Sequence, residues 1–273
     1  QVLDGATTDG TPPNQNYTKF TVTQPAGSTD GIWTIKNDGM LKKEALIIKN
    51  TDPNPWKKLQ DFVRLTGEGS TITIDGEIKA TSGDNAGQIV IDKNLTIKRA
   101  DGAASAVLDA NKMSRIFKVE NGANLTLENL TLTGGKATGT GDASSGGAIY
   151  AKDASTVNIE NCIITGNEAD TNGGGLNVEG TPTTITNCTF TGNTAKNGGG
   201  IYIIKTSNKI PAVTISGGTI GGTGTNEANK ATGTGSDGNG GGIYVGEFCT
   251  LRLQDSTDSG VRIIGNQAAK GGG

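Results

Sequence analysis

The sequence predicts an all-β chain wound as a parallel β-helix with three strands per coil. The first observation behind this is a recurring glycine phrase: Ser145-Gly-Gly-Ala-Ile-Tyr150, Gly173-Gly-Gly-Leu-Asn177, Gly198-Gly-Gly-Ile-Tyr202, Gly240-Gly-Gly-Ile-Tyr244 and Gly271-Gly-Gly273. Its copies start at 146, 173, 198, 240 and 271, which are 27, 25, 42 and 31 residues apart, and periods of this size mark a solenoid. The second is a phrase of the form apolar-x-Gly-Asn ahead of it, in Ile164-Thr-Gly-Asn167, Phe190-Thr-Gly-Asn193 and Ile263-Ile-Gly-Asn266. The third is that the intervening runs alternate apolar and polar residues and carry no helical period. Composition agrees: 44 glycines against 5 Phe, 4 Tyr and 2 Trp suit many tight corners around a thin aliphatic core.

In chain order, residues 1–66 are expected to form an N-terminal cap and residues 67–273 the β-helix, which ends inside a coil. The cap holds strand-like pieces at Phe20-Thr-Val-Thr23, Ile32-Trp-Thr-Ile35 and Ala45-Leu-Ile-Ile48, none of which matches the repeat. One short amphipathic helix is predicted near 55–64. Asn54 can cap it, Pro55 suits its first position, and Trp56, Leu59, Phe62 and Val63 share a face. A solenoid's first coil exposes an apolar cross-section and strand edges, and this helix is expected to cover them.

Irregular early coils follow, at Thr71-Ile-Thr-Ile74, Gln88-Ile-Val-Ile91, Leu95-Thr-Ile97 and Ile116-Phe-Lys-Val119. They are joined by the turn signals Asp75-Gly76, Asp101-Gly102 and Asn121-Gly122. From Leu125 the coils align. One inward column reads Leu132, Ile164, Phe190, Ile220 and Ile263, and its neighbour reads Leu130, Cys162, Cys188, Gly218 and Val261. Asn129, Asn161 and Asn187 are expected to stack at a corner, where an amide column would bond to backbone that lacks a ladder partner. Cys162 and Cys188 are then in adjacent coils and face inward as packed thiols; a disulfide between them is the less favoured reading, and Cys249 has no partner.

At this point the phrases Gly146-Gly-Ala-Ile149 and Phe190-Thr-Gly-Asn193 resemble the paired GGA(I/L/V) and FxxN motifs of chlamydial-type polymorphic outer-membrane proteins. Residues 70–273 as a whole also look like repeat-rich surface proteins of other bacteria, spirochaetes among them. The resemblance implies a right-handed, pectate-lyase-like β-helix displayed on the cell surface, as in an autotransporter passenger with adhesive function. The chain departs from the pattern in that most copies read GGG, and it contains no membrane β-barrel.

Within the strand after each glycine phrase, Ile149, Leu176, Ile201 and Ile243 should face in, followed by Ala151, Val178, Ile203 and Val245. The residues between them, Tyr150, Asn177, Tyr202 and Tyr244, with Lys118 from the preceding coil, should then form an exposed outward column. This column is the candidate ligand-binding face, since aromatic rings beside amides suit sugars or protein anchoring. Two insertions, Gly134 to Ser145 and Gly221 to Asn239, border it.

With 0 histidines, Ser-His-Asp, Cys-His and HExxH chemistries are excluded. Glu128 and Glu160 stack in adjacent coils without a basic neighbour, so no catalytic residue is assigned. Threonine ranks at Thr131/Thr133 and Thr189/Thr191, of the kind that binds ice, are broken in the coils between and after them. No cofactor or metal is expected, although Ser236-Asp-Gly-Asn-Gly240 is a weak cation candidate. The net charge of -3 with scattered basic residues points away from nucleic acid, and no apolar run is long enough to span a membrane.

The expected function is therefore a non-catalytic surface or secreted bacterial β-helix that binds a host-cell or matrix protein or glycan. A polysaccharide-active β-helix and a structural rod that self-associates end to end are the alternatives. The start at Gln1 without a leader reads as a processed chain, exported to the cell surface or outer membrane or secreted.

Overall fold

The computed structural model describes residues 21–22, 32–35, 41–154, 156–255 and 260–272. Phe20, Thr23 and the final Gly273 of the expected elements lie outside them. Within the cap, Thr21–Val22, Ile32–Ile35 and Leu41–Glu44 form a small antiparallel sheet. The rest is a parallel β-helix, in which every coil pairs with the next along its whole circuit.

One face of the coil is the stack Leu95–Arg99, Asn124–Glu128, Thr156–Glu160, Thr183–Thr186, Ala212–Ser216 and Thr250–Gln254. A second is Ala106–Asp109, Thr131–Thr133, Ile163–Thr165, Thr189–Thr191, Thr219–Gly221 and Arg262–Ile264. The third, which carries the candidate site, is Ile89–Ile91, Phe117–Val119, Ile149–Lys152, Leu176–Glu179, Ile201–Ile204 and Ile243–Val245. The three expected strands are joined by a fourth of two residues: Lys136–Ala137, Glu168–Ala169, Thr194–Ala195, Lys230–Ala231 and Gln267–Ala268. Two of these rungs, Lys136–Ala137 and Lys230–Ala231, lie inside the segments read as insertions, so the true excursions are shorter.

The solenoid also starts earlier than residue 67, because Ile47–Lys49 already pairs in parallel with Ser70–Lys79. Asp75-Gly76 does not end that strand. Ser70–Lys79 runs through it, pairing with Leu95–Arg99 and then with Ala106–Asp109, so the dipeptide bends a continuous strand around a corner.

The helix forms at Pro55–Leu65 and buries Trp56, Leu59, Phe62 and Val63. It packs on the first coil, where Trp56 Nε1 donates to the Gly87 carbonyl at 2.7 Å. Asn54 makes no side-chain cap; it sits at φ 48° in the left-handed region. Instead Asn85, from the opposite loop, accepts the Lys57 amide at 3.1 Å through its side-chain oxygen, so the helix start is capped by the coil it covers.

Both predicted inward columns are in register, and Leu132, Ile164, Phe190 and Ile220 are buried. Cys162 and Cys188 are buried free thiols; the Cys162 amide donates to the Cys188 sulfur at 3.4 Å. Contact with Cys162 and burial push the Cys188 thiol well above its ordinary pKa.

The asparagine corner is not an amide ladder. Asn129, Asn161 and Asn187 are exposed and adopt φ values of 57°, 51° and 52°, so the corner selects asparagine for its tolerance of the left-handed region. The ladder is built by another column, Asn167, Asn193, Asn229 and Asn266. Asn193 Nδ2 donates to the Ile164 carbonyl at 2.9 Å and to Asn229 Oδ1 at 2.9 Å, while its Oδ1 accepts the amide and Nδ2 of Asn167. Asn229 repeats this with the Phe190 carbonyl and Asn266.

The glycine phrase has two separate causes, visible in one copy. Gly173 sits at φ 64°, in the left-handed region. Gly174 needs its missing side chain, since a Cβ there would lie 2.4 Å from the Gly199 carbonyl oxygen and 2.5 Å from the Thr194 amide.

Candidate functional site

The strand register places Val90, Lys118, Tyr150, Asn177, Tyr202 and Tyr244 on one column, on the face opposite the inward Ile149, Leu176, Ile201 and Ile243. The alignment of the five named residues is as expected; their exposure is not. Tyr150 and Asn177 are fully buried, Tyr202 is 9% exposed, and Lys118 and Tyr244 are half-buried. Val245 departs in the other direction, being 38% exposed on the last coil although it is in register with the buried Ile203.

Tyr202 and Tyr244 stack with ring centroids 4.7 Å apart and planes 8° apart. That separation is the strand spacing, so the ring faces stack along the direction in which the coils stack. Burial, with Tyr244, Glu179 and Asp237 nearby, pushes the Tyr202 pKa up to about 12, which keeps its hydroxyl protonated and able to donate at neutral pH.

Tyr150 is covered by residues that sequence reading did not single out. The Arg115 guanidinium lies 4.8 Å from the centre of its ring. Arg115 Nη2 donates to the carbonyl of Asp142, which belongs to the 3₁₀ turn Gly141–Ser144 of the first insertion. The Asp142 carboxylate in turn receives Lys152 Nζ at 3.1 Å on each oxygen. Lys152 also approaches Glu179 at 3.6 Å, and Lys118 pairs with Glu120 at 2.6 Å.

The excursion 138–143, all exposed on its outer side, thus closes over the column through one aspartate. Two buried side-chain atoms on neighbouring rungs, Tyr150 Oη and Asn177 Oδ1, have no hydrogen-bond partner. Burial and the adjacent Asp142 and Glu179 carboxylates hold the Tyr150 hydroxyl far above its ordinary pKa, hence protonated.

The other sequence candidates are dispersed. Glu128 and Glu160 stack as expected on a different face, and the register adds a basic neighbour that the early coils concealed, since Lys98 pairs with Glu128. The threonine ranks are broken as read: Thr131, Ile163, Thr189, Thr219 and Arg262 share one column. Asp237, of the cation candidate, accepts from Asn197 Nδ2 at 3.1 Å. Among the described residues no cluster of His, Cys, Asp and Glu is suited to a metal, and no helix is long and apolar enough to cross a membrane. Compared with protein families, curated proteins and solved structures, the chain matches none.

Proposed function

We propose that the chain is a non-catalytic bacterial β-helix, surface-displayed or secreted, that binds a host-cell or matrix ligand along the face bearing Tyr202 and Tyr244. The observation that carries this reading is the stacked tyrosine pair at the end of the column, in which Tyr244 is half-buried and burial raises the pKa of the Tyr202 hydroxyl to about 12. Coils are joined by backbone ladders, this face's among them, and by the Asn167–Asn266 column, so the outward side chains of this face are not needed to hold the coils together. Rigid aromatic groups on a rigid sheet lose little entropy on binding, which favours anchoring. The resemblance of the two repeat phrases to those of adhesive surface proteins supports the same reading.

The test is retention of the purified chain on epithelial cells, immobilised matrix proteins and a glycan panel, compared with the Tyr202→Ala/Tyr244→Ala variant. Saturable binding that the variant lowers at least about tenfold, with the fold intact, is the expected result. No binding to any of these surfaces overturns the proposal.

The column Lys98, Glu128, Glu160 favours a second reading, a polysaccharide-active β-helix. Carboxylates on adjacent rungs stand about 5 Å apart, the spacing of a retaining pair. Release of reducing ends from soluble polysaccharides, abolished by Glu160→Gln, would establish it over the binding reading.

A further inference from the structure

Arg115 is 3% exposed and makes no ion pair with a carboxylate among the described residues. A buried, unpaired guanidinium is costly and needs a reason. Its surroundings suggest one. On one side lies the Tyr150 ring; on the other, the guanidinium donates to a backbone carbonyl of the excursion. Beside it, Lys152 Nζ lies 3.1 Å from each oxygen of Asp142, and the Tyr150 hydroxyl, buried and without a well-formed hydrogen bond, is close enough to the same carboxylate to perturb it. Two cationic groups and a phenol thus surround one surface aspartate, Lys152 and Tyr150 at its carboxylate and Arg115 at its backbone carbonyl.

The attachment of that aspartate is light. Segment 138–143 consists of Thr138, Gly139, Thr140, Gly141, Asp142 and Ala143, with no large apolar side chain to bury. Its glycines Gly139 and Gly141 adopt φ values of 114° and 59°; besides Asp142, it is held by the Gly139 amide on Asp170 at 3.3 Å and by Ser144 Oγ, which donates to the Gly141 carbonyl at 2.7 Å. A half-exposed ion pair such as Lys152 with Asp142 holds the segment only weakly.

We infer that Asp142 occupies, as an internal stand-in, a carboxylate subsite formed by Arg115, Lys152 and Tyr150, and that an acidic saccharide displaces it. With Asp142 withdrawn, the donors match a sugar carboxylate. Asn177 Oδ1, on the next rung, accepts from a ring hydroxyl, and Tyr202 and Tyr244 continue the track along the rod. A saccharide fits this row better than an acidic peptide, because the acceptor beside the cations calls for a hydroxyl donor at about one strand spacing. The inference deepens the binding reading above and rests on its column.

The test titrates the full chain with trigalacturonate, with a neutral trigalactoside and with a hexaglutamate peptide. Asp142→Ala, and the near-isosteric Asp142→Asn should the first not fold, are expected to raise trigalacturonate affinity about tenfold and leave the neutral sugar unchanged. Arg115→Met is expected to abolish the gain. In parallel, nitration of Tyr150 by tetranitromethane, mapped by mass spectrometry, should rise in Asp142→Ala and fall again with trigalacturonate.

Equal affinity in wild type and both Asp142 variants overturns the inference, as does an equal or larger gain for hexaglutamate. Either result leaves the binding reading to be decided by Tyr202→Ala/Tyr244→Ala on cells and matrix.

Discussion

The residue that best separates the two roles of asparagine is Asn193, against Asn161. Replacing Asn193 by Ala takes the side-chain donor from the Ile164 carbonyl and strands the Asn167 backbone amide inside the coil, while Asn229 Oδ1 keeps the Asn193 backbone N–H; the change should cost about 3 kcal/mol in chemical denaturation. At Asn161, where the requirement is a left-handed φ of 51°, Ala should cost about 1 kcal/mol and Gly almost nothing. Equal effects of Ala and Gly at Asn161 would refute that account of the corner. The same scale gives a pH dependence. Burial alone would raise the Asp142 carboxyl, but Tyr150 and Lys152 outweigh it and hold it below its ordinary 3.8. A depressed folded pKa stabilises the closed excursion above the ordinary value, and that stabilisation is lost as pH falls through the lower folded value. Tyr150 should therefore gain solvent accessibility only in strong acid, detectable as quenching of tyrosine emission by acrylamide that is absent at pH 5.

At the scale of elements, the glycine phrase and the helix cap make the sharpest claims. Gly174→Ala puts a methyl against backbone of the next coil and should cost about 3 kcal/mol or more, whereas Gly102→Ala, with open space around it, pays only for its φ of 77°. Trp56→Ala should cost about 3–5 kcal/mol and expose the first coil, read as a lowered melting temperature with aggregation. These elements were legible because a parallel stack repeats its constraints every coil, so columns such as Leu132, Ile164, Phe190 and Ile220 align by inspection. The ladder was not, because the excursion before Asn229 moves that residue out of phase with Asn193. Asn85, which caps the helix, is 31 residues beyond Asn54, and no local pattern links the two.

Across the whole molecule, the direction of side chains followed from strand alternation while their exposure did not. Tyr150 and Asn177 lie on the outward column as read, yet both are buried; Asp142 of the excursion 138–143 lies beside Tyr150, and the path of a Gly/Thr excursion has no period to read. Arg115 escaped because it lies just before its strand, and Lys98 because its column with Glu128 and Glu160 begins in an irregular early coil. The architecture is a stack of coils tied together by backbone ladders and an internal asparagine column, and the proposed binding face is the one that bears Tyr202 and Tyr244. Hydroxyl-radical footprinting of the full chain, free and bound to the most strongly retained member of the cell, matrix and glycan panel, measures that division directly. Protection confined to Lys118, Tyr202, Tyr244 and their strand neighbours is the predicted result; protection centred on Lys98, Glu128 and Glu160 would contradict it.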